Sequence, residues 1–251
     1  MTNFNFSAPN LLLLALAAAL LTFVLYALGR ALGAAEGGGA GRAYARRVWS
    51  VVVAYLAASA FLCALSAAGF FSDAESMPPR GFLILALGLG STAALASMRV
   101  AGGLRFLDFV PPHLLVSIQA YRVAVEVVLL MLYREGLIPR ELTWEGRNFD
   151  VLIGLTAPAV GYLLARRPGR WRRVGVAWNV AGLLSLLNIL TVAAGSIPSP
   201  FRVYALNHLP TYFPGVVIGV LVAPLAIYLH VLSLKQLAGR AAAGVGPRAR
   251  G

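Results

Sequence analysis

The sequence predicts an all-α polytopic membrane protein: one bundle of seven transmembrane helices, with the N-terminus outside and the C-terminus inside. Composition is the first reason. Of 251 residues, 59% are hydrophobic and 12% charged, and a soluble domain of this size cannot cover so much apolar surface with so few charges. The second reason is the series of apolar runs, at 11–29, 49–71, 81–98, 112–133, 151–165, 174–197 and 215–237, divided by segments rich in Gly, Pro or Arg. No polar stretch is long enough to fold separately, so 1–251 reads as a single integral membrane domain. The third is charge placement. With the N-terminus outside, 15 of 21 Lys and Arg fall inside and six of nine acidic residues fall outside, the positive-inside pattern.

Taken in order, the first ten residues carry no Lys or Arg, and the run after them is longer than the core of a secretory signal, so it reads as a retained first span. The segment 30–47 is rich in Gly and Ala, holds Arg30, Arg42, Arg46 and Arg47, and reads as a flexible inner linker. A second span and a short acidic outer loop with Asp73 and Glu75 follow. The third span is rich in Gly88, Gly90, Ser91, Ala94 and Ser97, small residues that let helices approach closely. Pro111 and Pro112 suit the first turn of the fourth span, where a missing N–H costs nothing. The fifth span, with Gly154, Pro158 and Gly161, covers only about 22 Å of a ~30 Å hydrocarbon core, and Arg166 and Arg167 can snorkel to complete it. The five arginines of RRPGRWRR are the strongest inner marker, and Gly215, Gly219 and Ala223 open the seventh span at four-residue spacing.

The fourth span is the one that carries ionisable groups in its middle. Gln119, Arg122 and Glu126 fall on one helical stripe, which Tyr133 extends. Charges at mid-membrane depth are costly unless paired or facing a cavity, so this stripe should point into the protein. Rise per residue puts Gln119 about 12 Å and His230 about 11 Å from the inner face, and Glu126 and Asn188 about 21–22 Å from it. The expected pocket is therefore Gln119, Arg122, Glu126, Asn188 and His230. Arg122 can meet an anionic solute group, Glu126 and His230 can carry protons, and Gln119 and Asn188 can orient a ligand. Against that stands an i,i+4 Arg122–Glu126 ion pair with Gln119, Asn188 and His230 as interhelical hydrogen-bond partners. In the outer loop EGRNFD, Asn148 and Asp150 suit the cap and dipole of the fifth span, which leaves Glu145 and Arg147 as candidate recognition residues.

Several classes of chemistry find no motif. His113, His208 and His230 lie at different depths, Cys63 is the single cysteine, and no HExxH pair, GxSxG elbow or P-loop occurs. No cofactor or metal is expected. The net charge of +12 is explained by topology rather than by nucleic acid, and the inner arginines should favour anionic lipid head groups. Lys235 sits at a membrane edge, where a mid-span retinal Schiff base cannot form.

The phrases QAYRVAVEVVLL, TWEGRNFDVLIGLTAP, IPSPFR and LAIYLHVLSLKQL resemble a family of uncharacterised bacterial multi-pass inner-membrane proteins, across roughly Asp108–Leu237. EGRNFD is the most distinctive phrase, and NHLPT departs from the family's pattern at His208. The resemblance implies a bacterial inner-membrane location and brings no activity, substrate or catalytic residue with it. Three functional classes remain open. The first is a small-solute transporter or permease, anionic or proton-coupled, with the short and interrupted fifth span lining its site. The second is a non-transporting sensor or assembly component whose polar centre is structural. The third is a membrane-embedded enzyme acting on a lipid or isoprenoid.

Overall fold

The computed structural model describes residues 7–72 and 104–242, and every regular element in them is helical. The predicted third span, 81–98, lies outside the described residues. Helix α1 runs Ala8–Ala35 and continues as a π-helical segment through Ala40, α2 is Arg42–Ala67, α3 is Pro112–Arg134, α4 is Asp150–Arg166, α5 is Pro168–Ala194, and α6 begins with a π-helical turn at Ile218–Val222 and continues to Ala242. Five of these (α1, α2, α3, α5 and α6) are long and apolar enough to cross a membrane. Helix α4, with 17 residues, is shorter.

Several boundaries differ from the sequence reading, for local reasons. The expected flexible linker 30–47 is almost wholly helical. Its alanines sustain α1 to Ala35, and the break falls at Gly39 and Gly41, whose φ of 94° and 76° only glycine adopts readily. Helix α5 starts at Pro168, six residues before the apolar run, because proline is tolerated in a first turn. Most of the arginine-rich loop is thus the first turns of a helix.

Helices α3 to α6 form the interior. α3 packs against α4 and α6, α4 against α5, and α5 against α6, while α1 lies along the C-terminal half of α3 and α2 touches α6 near its π turn. Small residues set the closest approach. A Cβ on Gly154 of α4 would lie 2.8 Å from the Val123 side chain, and one on Gly161 would strike Ser117. With buried Ala157 between them, they bring α4 flush onto α3. Apolar side chains fill the space on either side of the polar centre. Toward the loops Leu13, Val128, Leu132 and Val192 pack together, and toward the arginine-rich end Leu32, Val48, Phe106 and Leu232 do.

Both central helices are irregular where they meet. Ile118–Ala120 of α3 winds as a 3₁₀ turn, and α6 opens with its π segment. Pro224 has no N–H, so the Val220 carbonyl four residues earlier lacks its helical donor. Tyr55 and Ser59 of α2 supply hydroxyls to that carbonyl at 2.8 and 3.3 Å. The Tyr121 hydroxyl donates to Val222 O at 3.4 Å and the Gln119 amide to Ala226 O at 3.2 Å. In lipid, where water cannot meet a freed carbonyl, such bonds hold helices together.

Candidate functional site

The polar stripe of α3 does point inward: Gln119, Arg122 and Glu126, with His230 of α6, are each at most 2% exposed. Arg122 is the hub. Its Nη1 donates to His230 Nε2 at 3.0 Å, and its Nη2 forms an ion pair with the Asp150 carboxylate. A guanidinium only donates, so His230 Nε2 is the accepting nitrogen and the ring proton sits on Nδ1. That proton goes to Asn179 Oδ1 of α5 at 2.9 Å. The Asn179 amide nitrogen donates in turn to Gly175 O at 2.7 Å and to Ser233 Oγ at 3.0 Å, which fixes its orientation. One bonded series therefore joins Asp150, Arg122, His230, Asn179 and Ser233 across four helices.

Helix α5 makes room for the imidazole. A Cβ on Gly182 would run into the His230 ring, so only glycine fits there without displacing it. Gly175, Asn179 and Gly182 lie on one face of α5, and Trp178, its ring 5.3 Å from the imidazole, closes a neighbouring side. The second carboxylate, Glu126, stands one turn from Arg122 toward the loops. Its Oε1 accepts from Asn148 Nδ2 at 2.7 Å, whereas Oε2 has no hydrogen-bond partner among the described residues. Gln119 Oε1 is also buried and unpartnered among them.

Of the predicted pocket, Gln119, Arg122, Glu126 and His230 are gathered into one buried region. Asn188 is not part of it. It is half-buried on α5, and its amide donates to the Arg147 carbonyl at 2.6 Å. Among the described residues Arg122 has Asp150, not Glu126, as its ion-pair partner. Asp150, read from the sequence as a partner of the helix dipole, does stand in the first turn of α4, and it is also the counterion of Arg122 and accepts a further bond from Ser185. Asn148 does meet the start of α4, its Oδ1 accepting from Asp150 N at 2.9 Å, but its amide is turned to Glu126.

Sequence reasoning missed Asn179, Ser185 and Asp150 as members of the centre. Depth was used without azimuth: Asn188 follows Asn179 by nine residues, a rotation of about 180° on a helix, so the two face opposite ways. The signal that picks Asn179 is its place between Gly175 and Gly182 on the small-residue face of α5. Glu145 and Arg147, the candidate recognition residues, are exposed and engaged. Arg134 Nη2 meets Glu145 Oε1 at 2.8 Å, and Arg147 Nη1 donates to the Tyr204 hydroxyl at 2.7 Å.

A separate apolar cavity of 140 Å³ lies between α1, α2, the segment before α3 and α6, lined by residues such as Val24, Val52, Tyr55, Leu115 and Leu225. No residue of the polar centre lines it. Among the described residues no group of three His, Cys, Asp or Glu is placed to hold a metal. Set against protein-family models, curated proteins and solved structures, the chain matches none.

Proposed function

We propose that the protein is a proton-coupled small-solute transporter or permease of a bacterial inner membrane, with seven spans, N-terminus outside and C-terminus inside, and with Glu126 as the coupling group. Charge balance at the polar centre carries this reading. One guanidinium faces two buried carboxylates, and Asp150 takes it. The second carboxylate, Glu126, has an oxygen with no donor among the described residues, in a place where an unanswered charge is costly. A proton is the smallest partner that can answer it and then leave. Arg122 loses support as a contact for an anionic group, because a solute would first have to displace Asp150.

The observation behind the second reading is the rest of the network. Arg122, His230 and Asn179 are engaged with one another and enclosed, which suits a structural clamp in a sensor or assembly component. The enzyme reading requires a cavity that opens sideways onto Glu126 or His230, and the apolar cavity is lined by neither.

A thermal-shift screen on detergent-purified wild type and Glu126→Gln, across metabolites and anions at pH 5 to 8, separates these readings. Coupling predicts a compound that stabilises the wild type, with a shift that depends on pH and is lost in the variant, since a ligand stabilises the state it binds. In proteoliposomes the same compound should enter with protons in wild type only. If Glu126→Gln keeps both the ligand shift and proton-driven uptake, Glu126 is not the coupling group.

A further inference from the structure

The EGRNFD segment is only half absorbed by the polar centre: Asn148 and Asp150 reach it, while Glu145, Arg147 and Phe149 stay outside. We propose that residues 143–149 are a gate over Glu126 at the loop end of the bundle, with Asn148 as the plug and three exposed contacts as its latches. This rests on the reading of Glu126 as the coupling group.

The plug is defined by what it covers. Asn148 is the hydrogen-bond partner of Glu126 among the described residues, and the same amide nitrogen donates to Leu142 O at 3.1 Å. Withdrawing this one side chain removes the donor that the carboxylate has among the described residues. The latches are of a different kind. Glu145 to Arg134, Arg147 to Tyr204 and Asn188 to the Arg147 carbonyl all lie at exposed positions, where water replaces a lost partner at little cost. The two aromatic residues of the segment, Trp144 and Phe149, face outward instead of packing beneath it.

The movable part has natural limits. Leu142 is buried with Ile138 and Leu132, which anchors the near side. Asp150, the first residue of α4, is held by Arg122 and Ser185, which anchors the far side. Gly146 packs so closely on the Arg140 carbonyl that a Cβ would collide with it, and Arg147 N donates to Glu141 O at 3.2 Å, so residues 140–147 hold together as one turn. The opposite end is closed differently. There Gln236, itself buried, donates to the Leu107 and Val110 carbonyls at 2.6 and 2.5 Å. One end of the bundle is shut by buried bonds alone, whereas at the other the buried Asn148–Glu126 bond is backed by three bonds at exposed positions.

The test is the rate at which Glu126 is amidated by taurine with a water-soluble carbodiimide, read by peptide mass spectrometry on the purified full chain. Asp150 and the exposed Glu135 serve as internal references. A gate predicts slow labelling of Glu126 in wild type and a rise of about three- to tenfold in Asn188→Ala, from loss of one hydrogen bond. Glu145→Arg should raise it about two- to fivefold, and Arg134→Glu combined with Glu145→Arg should bring it back to within about twofold of wild type. Asp150 and Glu135 should label alike in all of them. Equal Glu126 rates in every variant, while urea-unfolded protein labels freely, would overturn the gate. So would Glu126 and Asp150 rising together, which marks general loosening. Loss of the coupling role, seen as unchanged uptake in Glu126→Gln, leaves the labelling pattern standing, so the two failures are distinguishable.

Discussion

Helices α3 and α6 and helices α1 and α2 are all long and apolar enough to cross a membrane but are used in opposite ways. In their most apolar windows α3 and α6 are each 44% buried within the protein, against 17% for α1 and 11% for α2. The inner pair carries Gln119, Arg122, Glu126, His230 and Ser233, and is joined through buried polar side chains. The outer pair meets the bundle through apolar contacts, two hydroxyls of α2 on the Val220 carbonyl, and Asn10 of α1, which accepts from the Tyr212 hydroxyl at 3.2 Å. Lipid tails solvate leucine as well as another helix does, so apolarity alone gives no reason to associate. Polar bonds and close backbone approach decide which helices are central.

If that contrast holds, the largest loss should come from orphaning the buried guanidinium. Asp150→Ala should destabilise the protein by about 3–5 kcal/mol, read as early melting or detergent-induced unfolding, because Arg122 is left without a counterion. A wild-type melting curve for this variant would break the division between core and periphery. Next is Gly182→Ala, whose methyl group must displace the His230 ring. It should cost about 1–3 kcal/mol by the same measurement, with the Arg122–His230 contact disturbed.

Asn179→Ala removes the acceptor of the His230 ring proton and the donor to Ser233. About 1–2 kcal/mol is expected, and Asn188→Ala should cost less, since its lost bond lies at a hydrated edge. Equal costs at the two asparagines would show that the face of α5 does not matter. The smallest effect belongs to the outer pair. Tyr55→Phe with Ser59→Ala strips both hydroxyls from the Val220 carbonyl and should cost about 0.6–1.7 kcal/mol, with faster hydrogen exchange near the π turn of α6 and no change around Arg122.

How much of this was legible follows from the kind of signal each feature leaves. The inward direction of Gln119, Arg122 and Glu126 could be read from one helix, because their spacing fixes a common face and the membrane penalises any other orientation. Depth alone brings His230 to the level of Gln119. Asp150 reads in sequence as an acidic residue at a helix start, which it is, but the same helix start carries it into the core against Arg122, and one helix alone does not show that. Asn188 has the expected depth but lies on the opposite face of α5 from Asn179.

By itself the sequence determined the all-helical character, the membrane-length apolar runs and the polar face of α3, since each depends on residues within a few turns of one another. Tertiary structure alone decided the partners. Asp150 answers Arg122 because Gly154, Ala157 and Gly161 let α4 lie flush on α3, and His230 keeps its proton on Nδ1 because Asn179 and Arg122 arrive from two other helices. Those are distances between elements far apart in the chain, and local periodicity contains no term for them.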